Sequence, residues 1–331
     1  MGAPMRIAIN GLGRIGRSIL RLLETTRHAD DIEIVCLNDI ARPELCAYLL
    51  AYDSVFGPFP GTVDHGPEAL IINGKSRPLT AFSDPAKLDL TGVDLLIDCT
   101  GKATDRSFAE RALAAGARKV LISGPCPNAD LTFVLGANDA ALTDQRIVSN
   151  ASCTTNALAP LTRLLDDAFG IETGHMTTIH CYTGSQPTVD APRGDLVRSR
   201  AAALSMIPTT TSASHLTDLV LPHLAGRIEG RALRVPTASV SAIDLTVKTA
   251  QSVTAEAVNA LFHSAKGPII GVTDLPLVSS DLRSRPESIV MATDETTVTR
   301  GGLLRVFGWY DNEWGFSNRM LDVARLMANR P

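Results

Sequence analysis

The stretch Arg6-Ile-Ala-Ile-Asn-Gly-Leu-Gly-Arg-Ile-Gly16 decides the fold. Its first half, residues 6–10, is a short apolar run that predicts a buried strand. Glycines in the spacing G-x-G-x-x-G follow at once. A helical pattern of apolar side chains begins just before the last of these glycines and comprises Ile15, Ile19, Leu20 and Leu23. A glycine turn between a strand and a helix lets the backbone approach a phosphate at the helix N-terminus. The segment therefore predicts a dinucleotide-binding unit.

An acidic residue after the next predicted strand supports this interpretation. Residues 32–37 form a second apolar run, which ends at Asn38 and Asp39. Asp39 follows the last glycine by about 20 residues, where an acid bonds ribose hydroxyls in dinucleotide-binding units. Its charge would repel a 2′-phosphate, so NAD is favoured over NADP. A solvent-exposed acid at a strand end is the plain alternative.

The order of predicted secondary-structure elements changes near residue 153. Before it, apolar runs at 93–97, 119–122 and 133–135 alternate with helical patterns, which predicts a parallel, doubly wound sheet with a cofactor at its carboxyl edge. After it, residues 177–182, 234–235, 240–248 and 303–310 have strand character, whereas 166–173 and 222–230 are predicted connections. Further helices are predicted at 254–265 and near the C-terminus.

The heptapeptide Asn150-Ala-Ser-Cys-Thr-Thr-Asn156 places Cys153 at the predicted start of a helix. Ser152 is a favourable N-cap, and apolar residues recur at helical spacing after it, at Ala157, Leu158, Leu161, Leu164 and Leu165. The positive end of the helix dipole and the unpaired N–H groups of a first turn stabilise a thiolate. Such a thiolate can attack a carbonyl and hold the resulting oxyanion. The alternative, a small buried cysteine, fits these polar neighbours poorly.

Composition limits the remaining function classes. The 331 residues are 45% hydrophobic and 20% charged, as in globular proteins with a large core. A net charge of -4 argues against a dedicated nucleic-acid binder, and no apolar run is long enough to cross a bilayer. Six cysteines without a CxxC pair indicate neither a disulfide framework nor a metal site. We therefore expect a cytoplasmic protein without a metal ion.

Taken together, these motifs resemble the glyceraldehyde-3-phosphate dehydrogenases. The resemblance covers nearly the whole chain and is strongest at residues 9–16, 149–156 and 198–208 and at Trp309-Tyr-Asp-Asn-Glu-Trp-Gly315. It implies an α/β protein with a Rossmann-type domain, residues 1–152 with 315–331. Residues 153–314 would form an α+β catalytic domain with a mostly antiparallel sheet. The resemblance also implies NAD as cofactor, a sugar phosphate and inorganic phosphate as substrates, and a homotetramer.

The resemblance further implies roles for individual residues. Cys153 would be the nucleophile, with His180 as its partner; by itself, His180 would be taken for a core histidine. The cofactor would be lined by Gly11, Arg14, Ile15, Asp39, Thr100, Ser123 and Asn312. Thr183 and Arg234 would bind the phosphate of the sugar, whereas Ser152, Arg198 and Thr211, with Thr154 and Ser212 beside them, would bind the attacking phosphate.

Some positions depart from the family pattern and leave the substrate open. Ser185 replaces an acid, and Thr211-Ser-Ala-Ser-His215 places a side chain where a glycine N–H usually meets phosphate. Phe316 and Ala157 replace a common tyrosine and a second cysteine, and residues 183–191 partly resemble members that accept NADP. An erythrose-4-phosphate dehydrogenase, in which water releases the acid, therefore remains an alternative. A non-catalytic nucleotide or RNA binder is a third, which the intact Cys153 and His180 disfavour.

Overall fold

The structure is a computed structural model that describes residues 3–26 and 31–330. These residues divide into two compact units. The first comprises the chain up to Phe133, residues Asp139–Ala151 and the segment from Ser317 onward; the second comprises Val134–Asn138 and Ser152–Phe316. Over the described ranges, no helix combines the length and the apolarity that crossing a membrane would require.

The first unit is built on one large sheet and a small two-stranded one. Its strands are β1 (Met5–Asn10), β2 (Ile32–Asn38), β3 (Tyr52–Asp53), β4 (Gly57–Pro58), β5 (Val63–Gly66), β6 (Ala69–Ile72), β7 (Lys75–Thr80), β8 (Leu95–Asp98), β9 (Lys119–Ile122), β10 (Leu131–Thr132) and β11 (Ile147–Ser149). The large sheet has the order β10-β11-β9-β8-β1-β2-β7-β6-β5.

The strand order of this sheet creates a crevice at β1. All pairs from β10 to β7 are parallel, and only β7-β6 and β6-β5 are antiparallel. The chain moves outward from β1 in one direction through β2 and in the other through β8. Ligands of such sheets bind beyond the carboxyl ends of the strands at this reversal. The predicted doubly wound sheet is therefore confirmed, and it places the glycine turn after β1 at the crevice.

Helices of the first unit are α1 (Arg14–Thr25), α2 (Pro43–Ala51) and α3 (Arg106–Ala114). The face that the sequence predicted for α1 is the buried one: Ile19 and Leu20 are fully buried, and Leu23 is nearly so. Burying side chains of this size against the sheet stabilises the unit by about 1.5–3 kcal/mol each. The glycine turn is thereby fixed between two packed elements.

Two features of the first unit differ from our expectations. Residues 133–135 do not form a strand; β10 covers Leu131–Thr132, and Phe133 lies buried just beyond its end. The antiparallel strands β5, β6 and β7 and helix α2 were not predicted. Strand β5 reads Val-Asp-His-Gly, which has no apolar alternation that a sequence pattern could reveal.

Lys119 ties the C-terminal helix, α7 (Trp314–Ala328), to this sheet. It is a buried lysine on β9, and its Nζ donates hydrogen bonds to Met327 O (2.9 Å) and Arg330 O (2.8 Å). A cation at this position also complements the negative end of the helix dipole.

Replacing Lys119 by methionine should therefore lower the stability of the first unit. The change leaves two carbonyl groups without this donor, which should cost about 2–3 kcal/mol. Urea unfolding monitored by circular dichroism measures the loss, with Lys87→Met at an exposed position of the same unit as the control. Equal urea midpoints for the two variants would show that the contacts of Lys119 with the end of α7 do not stabilise the unit.

The second unit contains a mixed sheet. Its strands are β12 (Ile171–Cys181), β13 (Ile207–Thr209), β14 (Ile228–Val235), β15 (Ser241–Thr249), β16 (Ile270–Thr273), β17 (Ile289–Ala292), β18 (Thr297–Val298) and β19 (Leu303–Tyr310). The order is β13-β14-β12-β15-β19-β17-β16, with β18 paired to β19. The pairs β12-β14 and β16-β17 are parallel and the others antiparallel, in agreement with the mostly antiparallel sheet that we expected.

Helices α4 (Cys153–Phe169), α5 (Ala213–Val220) and α6 (Ala255–Ser264) accompany this sheet. The predicted connection at 166–173 is wrong, because α4 continues to Phe169, ends at Gly170 with φ 65°, and leads directly into β12. The predicted connection at 222–230 is also too long, since β14 begins at Ile228. Both long strands therefore start earlier than their apolar pattern suggested.

Candidate active site and cofactor site

The backbone before α4 makes Cys153 the first residue of the helix. Ser152 is the N-cap, and its Oγ accepts a hydrogen bond from Thr155 N at 3.1 Å, as the sequence predicted. Ala151 precedes it with φ 55°, a left-handed conformation that costs about 1 kcal/mol or more at a residue with a side chain. This turn sets Cys153 among the N–H groups at the positive end of α4.

Strand β12 brings His180 to the thiol. His180 Nε2 lies 3.7 Å from Cys153 Sγ, and the imidazole is 5% exposed. Its other nitrogen, Nδ1, lies 2.7 Å from Cys181 O. The structure thus brings together the two residues that the sequence placed 27 positions apart.

Arg234 lies on the other side of the imidazole. Strands β12 and β14 pair in parallel with His180 opposite Arg234. Arg234 Nη1 lies 2.8 Å from His180 Nδ1 and donates a hydrogen bond to Cys181 O at 3.0 Å. A fixed positive charge therefore contacts the candidate base directly.

The pKa directions at this pair bear on the thiolate that we expected from the sequence. Desolvation raises the pKa of the Cys153 thiol, although hydrogen bonds to Thr154, the charge of Arg234 and backbone N–H groups act in the opposite direction. Burial, with Arg234 as a second cause, lowers the pKa of His180 to about 4. Burial therefore opposes the resting thiolate that the sequence led us to expect, and it also favours the neutral imidazole. Helix-dipole stabilisation was outweighed by loss of water.

Tyr310 joins the elements of this site, and the sequence analysis missed its role. Its hydroxyl lies 2.8 Å from Thr154 Oγ1 on α4 and 2.8 Å from Thr178 Oγ1 on β12. Its ring centroid is 6.0 Å from that of His180, in an edge-on arrangement. The sequence did offer a signal for Thr178, the partner of Tyr310: it lies two residues before His180 on a strand, so the two side chains share a face of the sheet.

Asn312 is buried, and its amide oxygen is already engaged. Cys181 Sγ donates to Asn312 Oδ1 at 3.1 Å, and Ser241 Oγ lies 3.5 Å from the same oxygen. Ser241 Oγ also accepts a hydrogen bond from Cys181 N at 3.1 Å. The amide NH2 is therefore the group of Asn312 that is suited to meet a ligand.

The residues expected to bind the attacking phosphate fall into three local groups. Arg198 Nε donates to Thr209 Oγ1 at 2.7 Å, and its Nη2 donates to Thr210 O at 3.2 Å. Thr211 Oγ1 accepts from Ala213 N at the start of α5, where Ser212 is the exposed N-cap. Ser152 and Thr154 belong instead to the group around Cys153. In the described part of the chain, no hydrogen bond joins Arg198 to Cys153 or His180.

Thr183 was expected to share a phosphate with Arg234. Its Oγ1 instead lies 2.9 Å from Ser185 Oγ, so the serine that replaces the family's acid contacts this threonine. No hydrogen bond between Thr183 and Arg234 occurs among the described residues. Their cooperation in binding one phosphate therefore stays a prediction.

The first unit contains a cavity of about 220 Å³ beyond the carboxyl ends of β1, β2 and β8. Gly11, Gly13, Asp39 and Thr100 are among its lining residues. A Cβ on Gly11, whose φ is 93°, would lie 2.8 Å from Thr100 N, and one on Gly16 would lie 1.9 Å from Gly11 O. Gly13, the N-cap of α1, has no neighbour closer than 4.0 Å to such a Cβ and no side chain to cap the helix. These residues fit a dinucleotide whose pyrophosphate rests on the helix N-terminus.

Asp39 is fixed against the glycine turn. Its Oδ2 accepts a hydrogen bond from Leu12 N at 2.6 Å, and its Oδ1 accepts one from Ala41 N at 2.8 Å. Each carboxylate oxygen has a second lone pair available for a ribose hydroxyl. The position of Asp39 on the cavity wall is therefore suited to the predicted role.

Three other expected cofactor residues of the first unit lie outside the cavity lining. Arg14 forms an ion pair with Asp53, Ile15 is half-buried in the first turn of α1, and Ser123 N donates to Asp98 O at 2.9 Å. Asp98, to which the sequence analysis gave no role, positions Thr100: its Oδ1 accepts a hydrogen bond from Thr100 Oγ1 at 2.9 Å, and burial raises the pKa of this carboxyl group to about 6.

Changing Asp39 to alanine should weaken NAD binding and reduce discrimination against NADP. Loss of charge-assisted hydrogen bonds to ribose should raise the Kd for NAD about tenfold or more, because such bonds contribute about 1.5–3 kcal/mol. Titration calorimetry with both dinucleotides measures this. Asp64→Ala, at an exposed position of β5, is the control. If the ratio of the Kd for NAD to the Kd for NADP were the same in Asp39→Ala and in the unmodified protein, the role of Asp39 would be contradicted.

No group of three or more histidine, cysteine, aspartate or glutamate side chains suited to a metal ion occurs in the described ranges. All six cysteines have free thiols.

Comparison with known proteins relates both units to one protein family. The family model for the NAD binding domain of glyceraldehyde 3-phosphate dehydrogenase matches residues 5–106, and the model for the C-terminal domain matches residues 152–312. Among curated proteins, glyceraldehyde-3-phosphate dehydrogenase of Cereibacter sphaeroides is 49% identical over 330 residues, covering 98% of each chain. The proteins of the same name from Xanthobacter flavus and Pseudomonas aeruginosa are 48% and 46% identical, again over 98% of each chain.

Proposed function

The chain belongs to the glyceraldehyde-3-phosphate dehydrogenase family, and we propose that it oxidises D-glyceraldehyde 3-phosphate with NAD and inorganic phosphate to 1,3-bisphosphoglycerate. The observation that carries this proposal is the thiol of Cys153 at the start of α4, 3.7 Å from His180 Nε2. A nucleophile beside a base, with a cation nearby for a phosphate, suits acyl chemistry on a phosphorylated aldehyde.

The first step is attack of Cys153 on the aldehyde carbon. The sulfur forms a bond to this carbon as the proton of the thiol passes to His180 Nε2. N–H groups at the start of α4 stabilise the developing oxyanion, which then takes the proton from His180 to give a hemithioacetal. The thiol can react although burial raises its pKa, because a proton acceptor, His180 Nε2, lies 3.7 Å from the sulfur.

Oxidation then produces a thioester on Cys153. His180, neutral again, accepts the hydroxyl proton of the hemithioacetal as the carbon gives up its hydride. When bound, the nicotinamide ring of NAD supplies the hydride acceptor. The NH2 group of Asn312, whose oxygen is held by Cys181 and Ser241, would orient the carboxamide of that ring.

Phosphate releases the product in our proposal. The residues suited to hold it are Arg198, Thr211 and Ser212, because arginine and hydroxyl groups at a helix N-terminus bind phosphate oxygens. One phosphate oxygen attacks the thioester carbon, the bond to sulfur breaks, and Cys153 recovers its proton from His180. A thioester conserves the acyl-transfer potential that would be lost if the aldehyde were oxidised directly to the free acid.

The discriminating experiment compares kcat/KM for glyceraldehyde 3-phosphate and erythrose 4-phosphate, each with and without phosphate or arsenate. We expect glyceraldehyde 3-phosphate to be preferred and steady turnover to require the oxyanion. A preference for erythrose 4-phosphate with no dependence on phosphate would establish the hydrolytic alternative instead. The departures at Ser185 and Ser212 are the reason that this comparison is informative.

Changing Arg234 to leucine should act selectively on phosphorylated substrates. Loss of charge-assisted bonds to the substrate phosphate should raise KM about 100-fold, since each is worth about 1.5–3 kcal/mol. The kcat/KM for unphosphorylated glyceraldehyde should not fall. Steady-state kinetics with both aldehydes measure the selectivity, with the exposed Arg231→Leu on the same strand as the control. An equal loss for both aldehydes would contradict a phosphate-binding role.

A further inference from the structure

Four neighbouring strands of the first unit end in a row of polar side chains. Strands β8, β1, β2 and β7 are adjacent in the sheet, and their last residues, Asp98, Asn10, Asn38 and Thr80, are paired across it. Asn10 Nδ2 donates to Asp98 Oδ2 at 2.7 Å, and Asn38 Nδ2 donates to Asn10 Oδ1 at 2.7 Å. Thr80 Oγ1 donates to Asn38 Oδ1 at 2.8 Å. We call these four residues the strand-end chain; its first three members are at most 4% exposed.

Backbone groups at one end fix the direction of the hydrogen bonds in the strand-end chain. Phe82 N donates to Asn38 Oδ1 at 2.9 Å, and Phe82 O accepts from Asn38 Nδ2 at 2.8 Å. A backbone N–H can only donate and a carbonyl can only accept, so the amide of Asn38 cannot be turned over. Its NH2 group must then donate to Asn10 Oδ1. This leaves the NH2 group of Asn10 facing Asp98.

The carboxyl group of Asp98 closes the other end by accepting from three donors. Besides the NH2 group of Asn10, Thr100 N donates to Asp98 Oδ1 at 3.2 Å, and Thr100 Oγ1 donates to the same oxygen at 2.9 Å. A carboxylate can accept all three bonds at once, whereas protonation would cost at least one of them. Burial raises the pKa of Asp98 to about 6, so the group is ionised at neutral pH. The strand-end chain is thus complete only around a buried anion.

The strand-end chain lies in the wall of the cofactor cavity. Asn10 and Asn38 are lining residues of the cavity, as are Phe82 and Thr100, which contact the two ends of the chain. The direction of each hydrogen bond, from Phe82 at one side to Thr100 at the other, therefore determines the shape of this wall.

The parts of the cofactor site are attached directly to the strand-end chain. Gly11 N donates to Asn38 O at 2.7 Å, and Asp39 N donates to Thr80 O at 3.0 Å. The glycine turn also packs tightly against Thr100, since a Cβ on Gly11 would lie 2.8 Å from Thr100 N. A displacement of the strand ends would therefore move both the turn and the acid.

We propose that Asp98, Asn10 and Asn38 are positioning residues for NAD. The strand-end chain holds the glycine turn and the cavity wall, with Asp39 and Thr100, in the arrangement that receives the dinucleotide. A preformed site loses little of its binding energy to ordering of the protein, whereas a site with displaced strand ends must be reassembled by its ligand. This inference deepens the cofactor part of the proposed function and rests on it, but it does not depend on which aldehyde is oxidised.

Exchanging the carboxylate and the amide along the strand-end chain tests the proposal. In Asp98→Asn, the NH2 group of the new amide meets a donor whichever way it points, either that of Asn10 or Thr100 N. Asn10→Asp places a second carboxylate beside Asp98, and the two repel each other. In the double variant, Asp98→Asn with Asn10→Asp, the amide at position 98 donates to the carboxylate at position 10, which also accepts from Asn38. The exchange restores every bond and leaves the net charge unchanged.

Titration calorimetry with NAD at about pH 7.5, above the pKa of Asp98, measures the effect. Each single variant should raise the Kd about tenfold or more, because a buried donor or charge without its partner is costly and the strand ends relax to avoid it. The double variant should return to within about threefold of the unmodified protein. Asp64→Asn, at an exposed position of β5, is the control and should bind NAD normally.

Urea unfolding of the same variants separates positioning from stability. Unchanged Kd values in Asp98→Asn and Asn10→Asp would overturn the proposal even if their urea midpoints fell, because a merely structural role lowers stability alone. A double variant that binds NAD no better than the single variants would overturn the hydrogen-bond directions. Failure of the unmodified protein to bind NAD would instead remove the cofactor from the proposed function, and the inference with it.

Carbon-13 NMR of the carboxyl group of Asp98 in the unmodified protein needs no variant, so poor folding of a variant would not remove the test. We expect an ionised carboxyl group at about pH 7.5, both without and with NAD. A protonated group at this pH would overturn the proposal, since it could not accept from Asn10 and from both donors of Thr100.

Discussion

Replacing Cys153 by alanine is expected to abolish aldehyde oxidation while leaving NAD binding unchanged. The reaction that we propose passes through two species bonded to this sulfur, and no other group of the site can take its place. Removing the covalent nucleophile of a serine protease costs on the order of 10⁶-fold in kcat, and we expect a comparable loss here. The expected residual activity is therefore at the background level.

The binding half of this prediction follows from the division of the molecule. The glycine turn, Asp39 and the cavity belong to the first unit, whereas Cys153 belongs to the second. Removing one sulfur atom from α4 leaves the cavity residues in place. Calorimetric titration with NAD should give the same Kd for the variant and the unmodified protein, within about twofold.

Two further variants make the result interpretable. Cys153→Ser keeps a side chain of similar shape at the start of α4, and we expect it to be as inactive as the alanine variant, because a hydroxyl is a much weaker nucleophile. Cys36→Ala changes a partly exposed cysteine of β2 and should retain full activity. Substantial turnover by either Cys153 variant would contradict the covalent mechanism.

Changing His180 to asparagine is expected to lower kcat by about 10²-fold to 10⁴-fold, the usual contribution of a general base. Asparagine retains a polar side chain at the end of β12, but it cannot take a proton from the thiol or from the hemithioacetal. Both proton transfers in the proposed sequence depend on Nε2, so formation of the hemithioacetal and its oxidation should both become slower.

The pH dependence of this variant follows from the pKa directions. Burial raises the pKa of Cys153, so without an adjacent acceptor the thiol ionises only at higher pH. The alkylation profile of His180→Asn should therefore shift upward in pH relative to that of the unmodified protein. Alkylation measured between about pH 5 and 9 tests this, with the exposed His175→Asn on the same strand as control. Coincident profiles for His180→Asn and the unmodified protein would contradict the pairing.

The cofactor fold could be predicted because its determinants are local. A strand, a glycine turn, a helix face and a terminal acid lie within residues 6–39, and each has a short-range pattern. The start of α4 could be predicted for the same reason, since Ser152 caps the helix and Cys153 follows it. The short strand β5 could not be, because its sequence has neither apolar alternation nor β-branched enrichment.

The electrostatics of the site could not be predicted, because they depend on contacts between distant residues. His180 and Arg234 are 54 positions apart and meet only because β12 and β14 pair in parallel in one register. A shift of this register by one residue would turn Arg234 to the other face of the sheet. Likewise, the thiolate that the helix dipole suggested is opposed by desolvation, which depends on the packing of α4, β12 and β19 around the sulfur.

The formation of a thioester on Cys153 is the central claim, and one measurement tests it directly. The full chain is mixed with NAD and glyceraldehyde 3-phosphate in the absence of phosphate, quenched in acid within one turnover, and examined by peptide mass spectrometry. The account predicts a phosphoglyceroyl group on the peptide that contains Cys153, in an amount matching the NADH formed, and its loss when phosphate is added. Formation of NADH without any acyl group on Cys153 would contradict it.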